Sequence, residues 1–191
     1  MLHQGTDEVA RNWQIRTDIP TPFWAFPWPG GQAMARYLLD HPERVRGKRV
    51  LDFASGSGVI AIAAAKAGAA KVWAYDIDPL AGAATQLNAA SNGVAVENIK
   101  SLPMERPFKK ADIILMGDAC YNQAVAARIL RWLYLCVGGG VPVLLADPGR
   151  AFTPKTGRRE VARYEIRVRP QLEDTDMRTT LVFELSLPDD N

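Results

Sequence analysis

Short apolar segments alternate with amphipathic, helix-like segments along most of this chain, and this alternation limits the possible folds more than any other feature. The apolar segments typical of buried strands lie at residues 48–54, 71–76, 96–100, 111–117 and 141–146. The helical patterns between them lie at residues 59–68, 78–92 and 122–137. Strands that alternate with helices in this way form a parallel sheet covered by helices on both faces. The sequence therefore predicts an α/β fold.

Two further segments near the C-terminus extend the predicted sheet. Residues 163–169 and 179–187 alternate apolar with polar side chains, which is typical of an antiparallel pair with one face in solvent. A short helix is expected at residues 32–41, before the first strand. We expect a Rossmann-like three-layer sandwich built on a seven-stranded, mostly parallel sheet that ends in an antiparallel hairpin. The 191 residues suit one domain, at 31–191, preceded by an arm rich in proline and aromatic residues at 1–30.

The composition argues against several classes of protein. The formal net charge is only +2, and no run approaches the roughly 20 apolar residues that a membrane helix needs. Cys120 and Cys136 do not have a metal-ligand spacing, and we expect reduced thiols. Residues 1–13 carry acidic residues and lack the apolar core of a signal peptide. We expect a cytoplasmic monomer with no metal, nucleic-acid or membrane partner, although a matrix protein without its presequence would look similar.

The segment VLDFASGSG at residues 50–58 combines the first predicted strand with a glycine-rich turn. Gly56 and Gly58 allow a ligand to approach the backbone closely and allow a positive φ. The helix that follows points its N-terminus at this turn, which favours negative charge there. About twenty residues further along, Asp76 ends the second strand, where an acid can bind both hydroxyls of a ribose. This pattern predicts a site for a cofactor that contains a nucleoside.

Two cofactors fit this pattern, and a tight turn without a ligand is the plain alternative. Gly56, Gly58 and Ala61 also satisfy the fingerprint of dinucleotide-binding proteins. Asp52, just before the turn, would repel a pyrophosphate but would suit the ammonium group of a methionine moiety. The length of the chain also leaves little room for the substrate domain of many dehydrogenases. We therefore favour S-adenosylmethionine over a nicotinamide dinucleotide.

The same residues resemble a known superfamily. VLDFASGSGVIAIAAA at residues 50–65, followed by AYDIDPLA at 74–81, resembles motif I and its successor in class I, seven-β-strand methyltransferases. Ala54 departs from the pattern because many members carry a glycine there, but alanine is small enough for the turn to survive. The resemblance implies that residues 31–191 form a class I methyltransferase domain. It also implies that the cofactor is bound by Asp52, Ala54, Gly56, Gly58, Asp76 and Ile77.

Three segments outside this core are more specific. They are PFWAFPWPGGQ at 22–32, DACY at 118–121 and DPGRAF at 147–152. Together they resemble the protein-lysine methyltransferases that act on the β subunit of electron transfer flavoprotein. The resemblance implies that Asp118 and Tyr121 are catalytic residues facing the target lysine, and that Trp28 contacts the cofactor. Asp118 would accept a hydrogen bond from the target amine and orient it, since a carboxylate near an ammonium does not lower the pKa of that ammonium.

Each of these roles has a plainer alternative. Asp118 could cap the helix that begins near Asn122, Trp28 could belong to an arm that only packs on the sheet, and Asp147 could serve a simple turn. The C-terminal region is basic, and its arginines could form a solvated face or contact an acidic patch on a protein substrate. These arginines are Arg158, Arg159, Arg163, Arg167 and Arg169.

The resemblance implies an S-adenosylmethionine-dependent protein-lysine N-methyltransferase whose partner is the electron transfer flavoprotein β subunit. A ribosomal protein or a small-molecule amine would keep the chemistry and change the substrate. A catalytically silent cofactor-binding module is the alternative from another class of protein.

Overall fold

A computed structural model describes residues 21–188, and a single seven-stranded sheet organises this part of the chain. The strands are β1 (Arg49–Phe53), β2 (Lys71–Tyr75), β3 (Glu97–Asn98), β4 (Ile113–Gly117), β5 (Val143–Asp147), β6 (Arg158–Arg167) and β7 (Met177–Leu185). Their spatial order is β3-β2-β1-β4-β5-β7-β6. The pairs among β1 to β5 are parallel, whereas β7 runs antiparallel to both β5 and β6. The predicted mostly parallel sheet with a C-terminal antiparallel hairpin is confirmed.

Helices cover both faces of the sheet. They are α1 (Pro29–Asp40), α2 (Val59–Lys66), α3 (Pro79–Ser91), α4 (Gln123–Gly138) and the short α5 (Pro170–Glu173). One buried cluster joins α1, α2 and α3 to one face, and the other joins α4 and the segment before β4 to the opposite face. Successive side chains of a strand point to opposite faces and so belong to different clusters. Val50 packs in the first cluster and Leu51 in the second. The three-layer sandwich is therefore confirmed.

Most element bounds agree with the sequence prediction to within two residues, and the exceptions have physical causes. Helix α1 begins at Pro29, not at Gln32, because proline suits the first helical position. Strand β3 is reduced to two residues at the edge of the sheet. Strand β6 begins at Arg158, five residues before the predicted start, and a bulge between Glu160 and Ala162 interrupts its alternation.

The predicted division at residues 30 and 31 falls inside the first turn of α1, and residues 1–20 lie outside the described part of the chain. The division into an arm and a domain stays a prediction. Residues 22–28 contain a short 3-10 turn, Phe23–Ala25, and lead directly into α1. Within residues 21–188 no helix is both long and apolar enough to span a bilayer.

Candidate active site

A cleft of about 330 Å³ opens at the carboxyl ends of β1 and β4, which are neighbours in the sheet. The order of the strands reverses at this point, and open α/β sheets bind ligands in the crevice there. Residues from several parts of the chain line the cleft, and the sequence-predicted ones among them are Trp28, Ala54, Gly56, Asp76, Ile77, Asp118 and Tyr121. Asp52 and Gly58 do not line it. The structure thus brings seven of the nine predicted site residues to one cleft.

The turn after β1 is held in a left-handed conformation at three positions. The φ angles are 57° at Ala54, 53° at Gly56 and 90° at Gly58. A Cβ at Gly58 would lie 2.8 Å from Cγ2 of the buried Thr85, so only glycine fits there. The alanine at position 54 keeps the turn, as expected, but it adopts a backbone conformation that costs a non-glycine residue roughly 1 kcal/mol.

Asp76 joins this turn to the end of β2. Its Oδ2 accepts a hydrogen bond from the backbone N–H of Gly56 at 2.8 Å, and its Oδ1 accepts one from Asp78 at 2.9 Å. A carboxylate has about four acceptor positions, so two stay open toward the cleft. Ile77 follows with 88% of its surface exposed, which makes it an apolar edge of the cleft.

Asp52 lies behind the turn and not in the cleft. The side chain is fully buried, and its Oδ2 accepts a hydrogen bond from the N–H of Ala61 at 2.9 Å. Its Oδ1 has no hydrogen-bond partner within residues 21–188. Burial raises the pKa of this carboxyl well above its ordinary value, and the charge of Asp76 adds to the effect. The contact of Asp52 with an ammonium group stays a prediction, and the observed role of the carboxylate is to bind the first turn of α2.

Asp118 follows β4 in a left-handed conformation with φ of 54°. Its Oδ2 accepts hydrogen bonds from the backbone N–H groups of Gly30 and Gly31, at the N-terminus of α1. Its Oδ1 accepts two from the Arg150 guanidinium, from Nη2 at 3.0 Å and from Nε at 3.3 Å. Burial raises the pKa of Asp118 to about 7, opposed by the positive charge of Arg150. The helix near residue 122 is capped by Asn122, whose Oδ1 accepts from Val125, so Asp118 does not cap that helix.

A buried chain of charges extends from Asp118 to the hairpin. The Arg150 guanidinium binds both carboxylate oxygens of Glu173, with Nη2 to Oε1 at 2.5 Å and Nη1 to Oε2 at 3.1 Å. Nε of Arg178 donates to the same Glu173 at 3.1 Å. These interactions hold the pKa of Arg150 above its ordinary value despite burial. Two carboxylates and two guanidinium groups therefore form a compensated network beside the cleft.

Aromatic side chains form the mouth of the cleft. The ring of Tyr121 is stacked on that of Phe23 with centroids 6.2 Å apart, and Phe23 also packs against Trp28. The Trp28 indole donates to the Phe23 carbonyl at 2.7 Å, and the guanidinium of Arg150 lies over the Trp28 ring at 5.6 Å. Tyr121 is 46% exposed, so a substrate can reach it. Residues 23–28 thus pack on the rest of the described chain, and Phe23 and Trp28 line the cleft at the same time.

Asp147 serves a tight turn after β5. Its Oδ1 accepts hydrogen bonds from Gly149 at 2.7 Å and from Arg150 at 2.6 Å, which positions the Arg150 backbone. The C-terminal arginines are largely engaged within the molecule. Arg159 pairs with Glu184, Arg163 pairs with Glu160, and Arg158 lies over the Phe183 ring. These contacts favour the interpretation of a solvated face.

Sequence reasoning missed the partners of Asp118. Gly30 and Gly31 donate to it, and a Cβ on Gly30 would collide with the Ala146 carbonyl and with Asp118. Paired glycines after Trp-Pro were a usable signal, since glycine often marks a close backbone approach. Arg150 lay within a recognised motif, but nothing in the sequence indicated Glu173 as its partner.

The charges of the cleft restrict its ligands. Within residues 21–188, the lining carries three carboxylates, those of Asp76, Asp78 and Asp118, and one cation, Arg128. A pyrophosphate would face this excess of acidic groups, whereas a cationic ligand would be attracted. Among the histidine, cysteine, aspartate and glutamate residues of 21–188, no three are grouped so as to hold a metal ion.

The sheet order, the left-handed turn after β1 and the acid after β2 together define the fold of class I methyltransferases. A family model described as ribosomal protein L11 methyltransferase matches residues 33–117. A solved RNA methyltransferase from Salinibacter ruber, in complex with S-adenosyl-L-homocysteine, superposes with a TM-score of 0.57 at 18% identity, over 87% of this chain and 96% of that chain.

The sequence relatives are more specific. The electron transfer flavoprotein beta subunit lysine methyltransferase of Mus musculus is 40% identical over 186 residues, which cover 90% of this chain and 71% of the mouse protein. The protein of the same name from Rattus norvegicus is 44% identical over 147 residues, or 72% of this chain and 56% of the rat protein. The chain thus spans a little over half the length of the rat protein. It belongs to the electron transfer flavoprotein beta subunit lysine methyltransferase family.

Proposed function

We propose that this protein transfers methyl groups from S-adenosylmethionine to lysine ε-amines of the electron transfer flavoprotein β subunit. The observation that supports this most is the identity of 40% to the mouse lysine methyltransferase across 71% of that relative. The names of the relatives supply the substrate, and the cleft of this chain supplies a compatible site. The similarity covers 90% of this chain.

The cleft suits S-adenosylmethionine by its donors and by its charge. The open acceptor positions of Asp76 would bind the ribose hydroxyls, and the positive φ at Gly56 exposes the turn backbone to the ligand. Gly58 and Asp52 would support this turn from behind, Ala54 and Ile77 would contact the ligand, and Trp28 would cover it. The cofactor, when bound, supplies an activated methyl group on a sulfonium.

The target lysine would enter beside Tyr121. A lysine has an ordinary pKa near 10.4, so the site must accept the amine without its proton. The exposed Tyr121 ring offers a wall for the aliphatic part of the lysine, and Asp118 lies deeper on the same side of the cleft. Holding the amine in line with the donor methyl supplies much of the acceleration in such a transfer. In this proposal, Asp118 and Tyr121 are the catalytic residues.

We further propose a reducing compartment, the cytoplasm, and action as a monomer on a protein, without nucleic acid or membrane. Both cysteines are free thiols in the structure. Burial raises the pKa of Cys120 to about 12, which makes this thiol unreactive. These features suit a protein that does not depend on disulfides.

Mass spectrometry of recombinant electron transfer flavoprotein, incubated with the protein and S-adenosylmethionine, tests the proposal. We expect mass increments of about 14 Da, one for each methyl group, on lysines of the β subunit alone. A reaction without enzyme and one with purified ribosomal protein L11 are the controls. Modification of L11 and not of the flavoprotein would reassign the substrate. No increment on either protein, together with intact cofactor binding, would favour a catalytically silent module.

A further inference from the structure

The carboxylate of Asp118 is fully occupied by hydrogen bonds from the protein itself. Two backbone N–H groups, of Gly30 and Gly31, donate to Oδ2, and two N–H groups of Arg150 donate to Oδ1. A carboxylate offers about four acceptor positions, so these four donors fill them. An arriving lysine therefore does not meet a free carboxylate at Asp118.

Arg150 is held in this position from the opposite side. Glu173, whose side chain is only 2% exposed, binds two of its nitrogens, and Arg178 binds Glu173 in turn. The Arg150 side chain is itself 15% exposed and packs over the ring of Trp28. Arg150 does not line the cleft, and it reaches the cleft through Asp118 and Trp28.

We propose that Arg150 is a positioning residue that pairs with Asp118. The side of the cleft that faces the target lysine therefore presents an ion pair instead of a free carboxylate. Glu173 anchors Arg150 in this pair. The proposal rests on the proposed function, since it concerns the lysine that the cleft accepts. It assigns a role to the Asp-Pro-Gly-Arg segment that a simple turn does not require.

The closed pair solves a problem of protonation. A free carboxylate within about 4–6 Å of an ammonium raises the pKa of that ammonium by about one to three pH units. The guanidinium of Arg150 compensates the charge of Asp118, and so the target amine loses its proton to water more readily. Removal of Arg150 would let the lysine ammonium take the place of the guanidinium and stay charged.

Several other charged groups act on this wall. Asp147 lies close enough to raise the pKa of Asp118, and Asp118 in turn raises that of Cys120. The N-terminus of α1 contributes partial positive charge through Gly30 and Gly31. Burial raises the pKa of the Tyr121 phenol, and the charge of Asp76 adds to this effect. A substitution at Arg150 leaves Asp76 and the N-terminus of α1 in place, whereas it removes a positive charge that acts on both Asp118 and Asp147.

The pH dependence of kcat provides the first test, with Arg150→Gln, Arg150→Lys and the control Arg163→Gln. Arg163 is an exposed arginine paired with Glu160 on β6. In wild type we expect kcat to increase with pH as the target amine loses its proton. In Arg150→Gln we expect this increase to occur at a pH higher by about one to three units, so that kcat at pH 7 falls about tenfold or more. Arg150→Lys keeps the charge and should move the limb less. Arg163→Gln should match the wild type.

Amide hydrogen exchange at Gly30 and Gly31 provides a second test that needs no substrate. Because these N–H groups donate to Asp118, we expect exchange to accelerate at least about tenfold in Arg150→Gln and to stay unchanged in Arg163→Gln. If Arg150→Gln does not fold, Arg150→Lys serves for both measurements. A smaller acceleration in the same direction is then expected, because the lysine ammonium lacks the planar fork that binds Asp118 and Glu173 together.

The possible outcomes separate the two proposals. If the wild type does not methylate the flavoprotein, the proposed function fails. The pairing of Arg150 with Asp118 is then tested by hydrogen exchange alone. A uniform loss of activity with an unmoved pH limb would mean that Arg150 only stabilises the fold, and the positioning role would be overturned. Unchanged exchange at Gly30 and Gly31 would overturn it as well.

Discussion

Asp76 and Asp118 end the two strands that flank β1, and they face the same cleft from opposite sides. The partners of Asp76 lie 2 and 20 residues away in sequence and are backbone N–H groups. Those of Asp118 lie 32, 87 and 88 residues away and include a guanidinium. The hydrogen bonds of Asp76 belong to a local motif, whereas the partners of Asp118 are brought together by the tertiary fold.

This difference sets what each carboxylate can do. Asp76 is half-buried and keeps acceptor positions open, as binding of ribose hydroxyls requires. Asp118 is buried and closed by four donors, so in our proposal it would act on a substrate as one half of an ion pair. One side of the cleft is thus built to bind directly, and the other to present a neutral wall.

The largest expected effect is on turnover in Asp118→Asn. Asparagine tolerates the left-handed backbone of this position but removes the charge that pairs with Arg150. We expect methylation of the flavoprotein to fall about 100-fold or more, with the affinity for S-adenosylhomocysteine within about threefold of the wild type. Asp112→Asn is the matched control, because Asp112 is an exposed acid near the other end of the same strand. Retained turnover in Asp118→Asn would remove Asp118 from the catalytic site.

The reverse pattern is expected in Asp76→Asn. An amide accepts on one oxygen only, so the variant loses a hydrogen bond to the turn and one to the ribose. We expect the dissociation constant of S-adenosylhomocysteine to rise about 10-fold to 100-fold, with kcat at saturating cofactor changed by less than about threefold. Calorimetry and initial rates measure the two quantities. Equal losses in both variants would show that the two sides of the cleft do not have separate roles.

The stability of the fold as a function of pH reports on the buried acid, Asp118. Burial raises the pKa of Asp118 from an ordinary 3.8 to about 7, so the folded state keeps a proton that the unfolded chain releases, and the ionised form that pairs with Arg150 is complete only above about pH 7. Its stabilising contribution is complete below about pH 4 and is lost as the pH rises through 7.

Urea unfolding of the wild type and Asp118→Asn between pH 4 and 7 measures this contribution. The free energy of unfolding should fall less steeply with pH in the variant, by up to about 1.4 kcal/mol per pH unit. Asp52 also has a raised pKa, but Asp118 is not among the groups that shift it, so we expect its contribution to be the same in both proteins. Parallel curves would contradict the assignment to Asp118.

The smallest expected effect concerns the strained alanine of the turn. Ala54 has a φ of 57°, and glycine adopts this conformation without strain. We expect Ala54→Gly to raise the free energy of unfolding by up to about 1 kcal/mol, since the relief is partly offset by the greater entropy of glycine in the unfolded chain. Gly58→Ala provides the contrast, because its new Cβ would approach Thr85, and it should destabilise the fold. A loss of stability in Ala54→Gly would contradict the strain.

The same contrast explains how far the sequence alone could lead. The strands, their order of appearance, the glycine turn and Asp76 depend on contacts close in sequence, and their patterns predicted them. The partners of Asp118 depend on the approach of segments almost 90 residues apart. For Asp52 the position was predicted but the contact was not. Its partner is the N–H of Ala61 in the first turn of α2, and the position of that N–H depends on how α2 packs against β1.

Isothermal titration calorimetry of the wild type with S-adenosylhomocysteine and with NAD⁺ tests the central claim most directly. That claim is that the cleft between β1 and β4, with its acidic lining and the Asp76 carboxylate, holds S-adenosylmethionine and not a dinucleotide. The account predicts saturable one-to-one binding of S-adenosylhomocysteine, weakened in Asp76→Asn, and no binding of NAD⁺ at the same concentrations. Saturable binding of NAD⁺ together with no response to S-adenosylhomocysteine would contradict it.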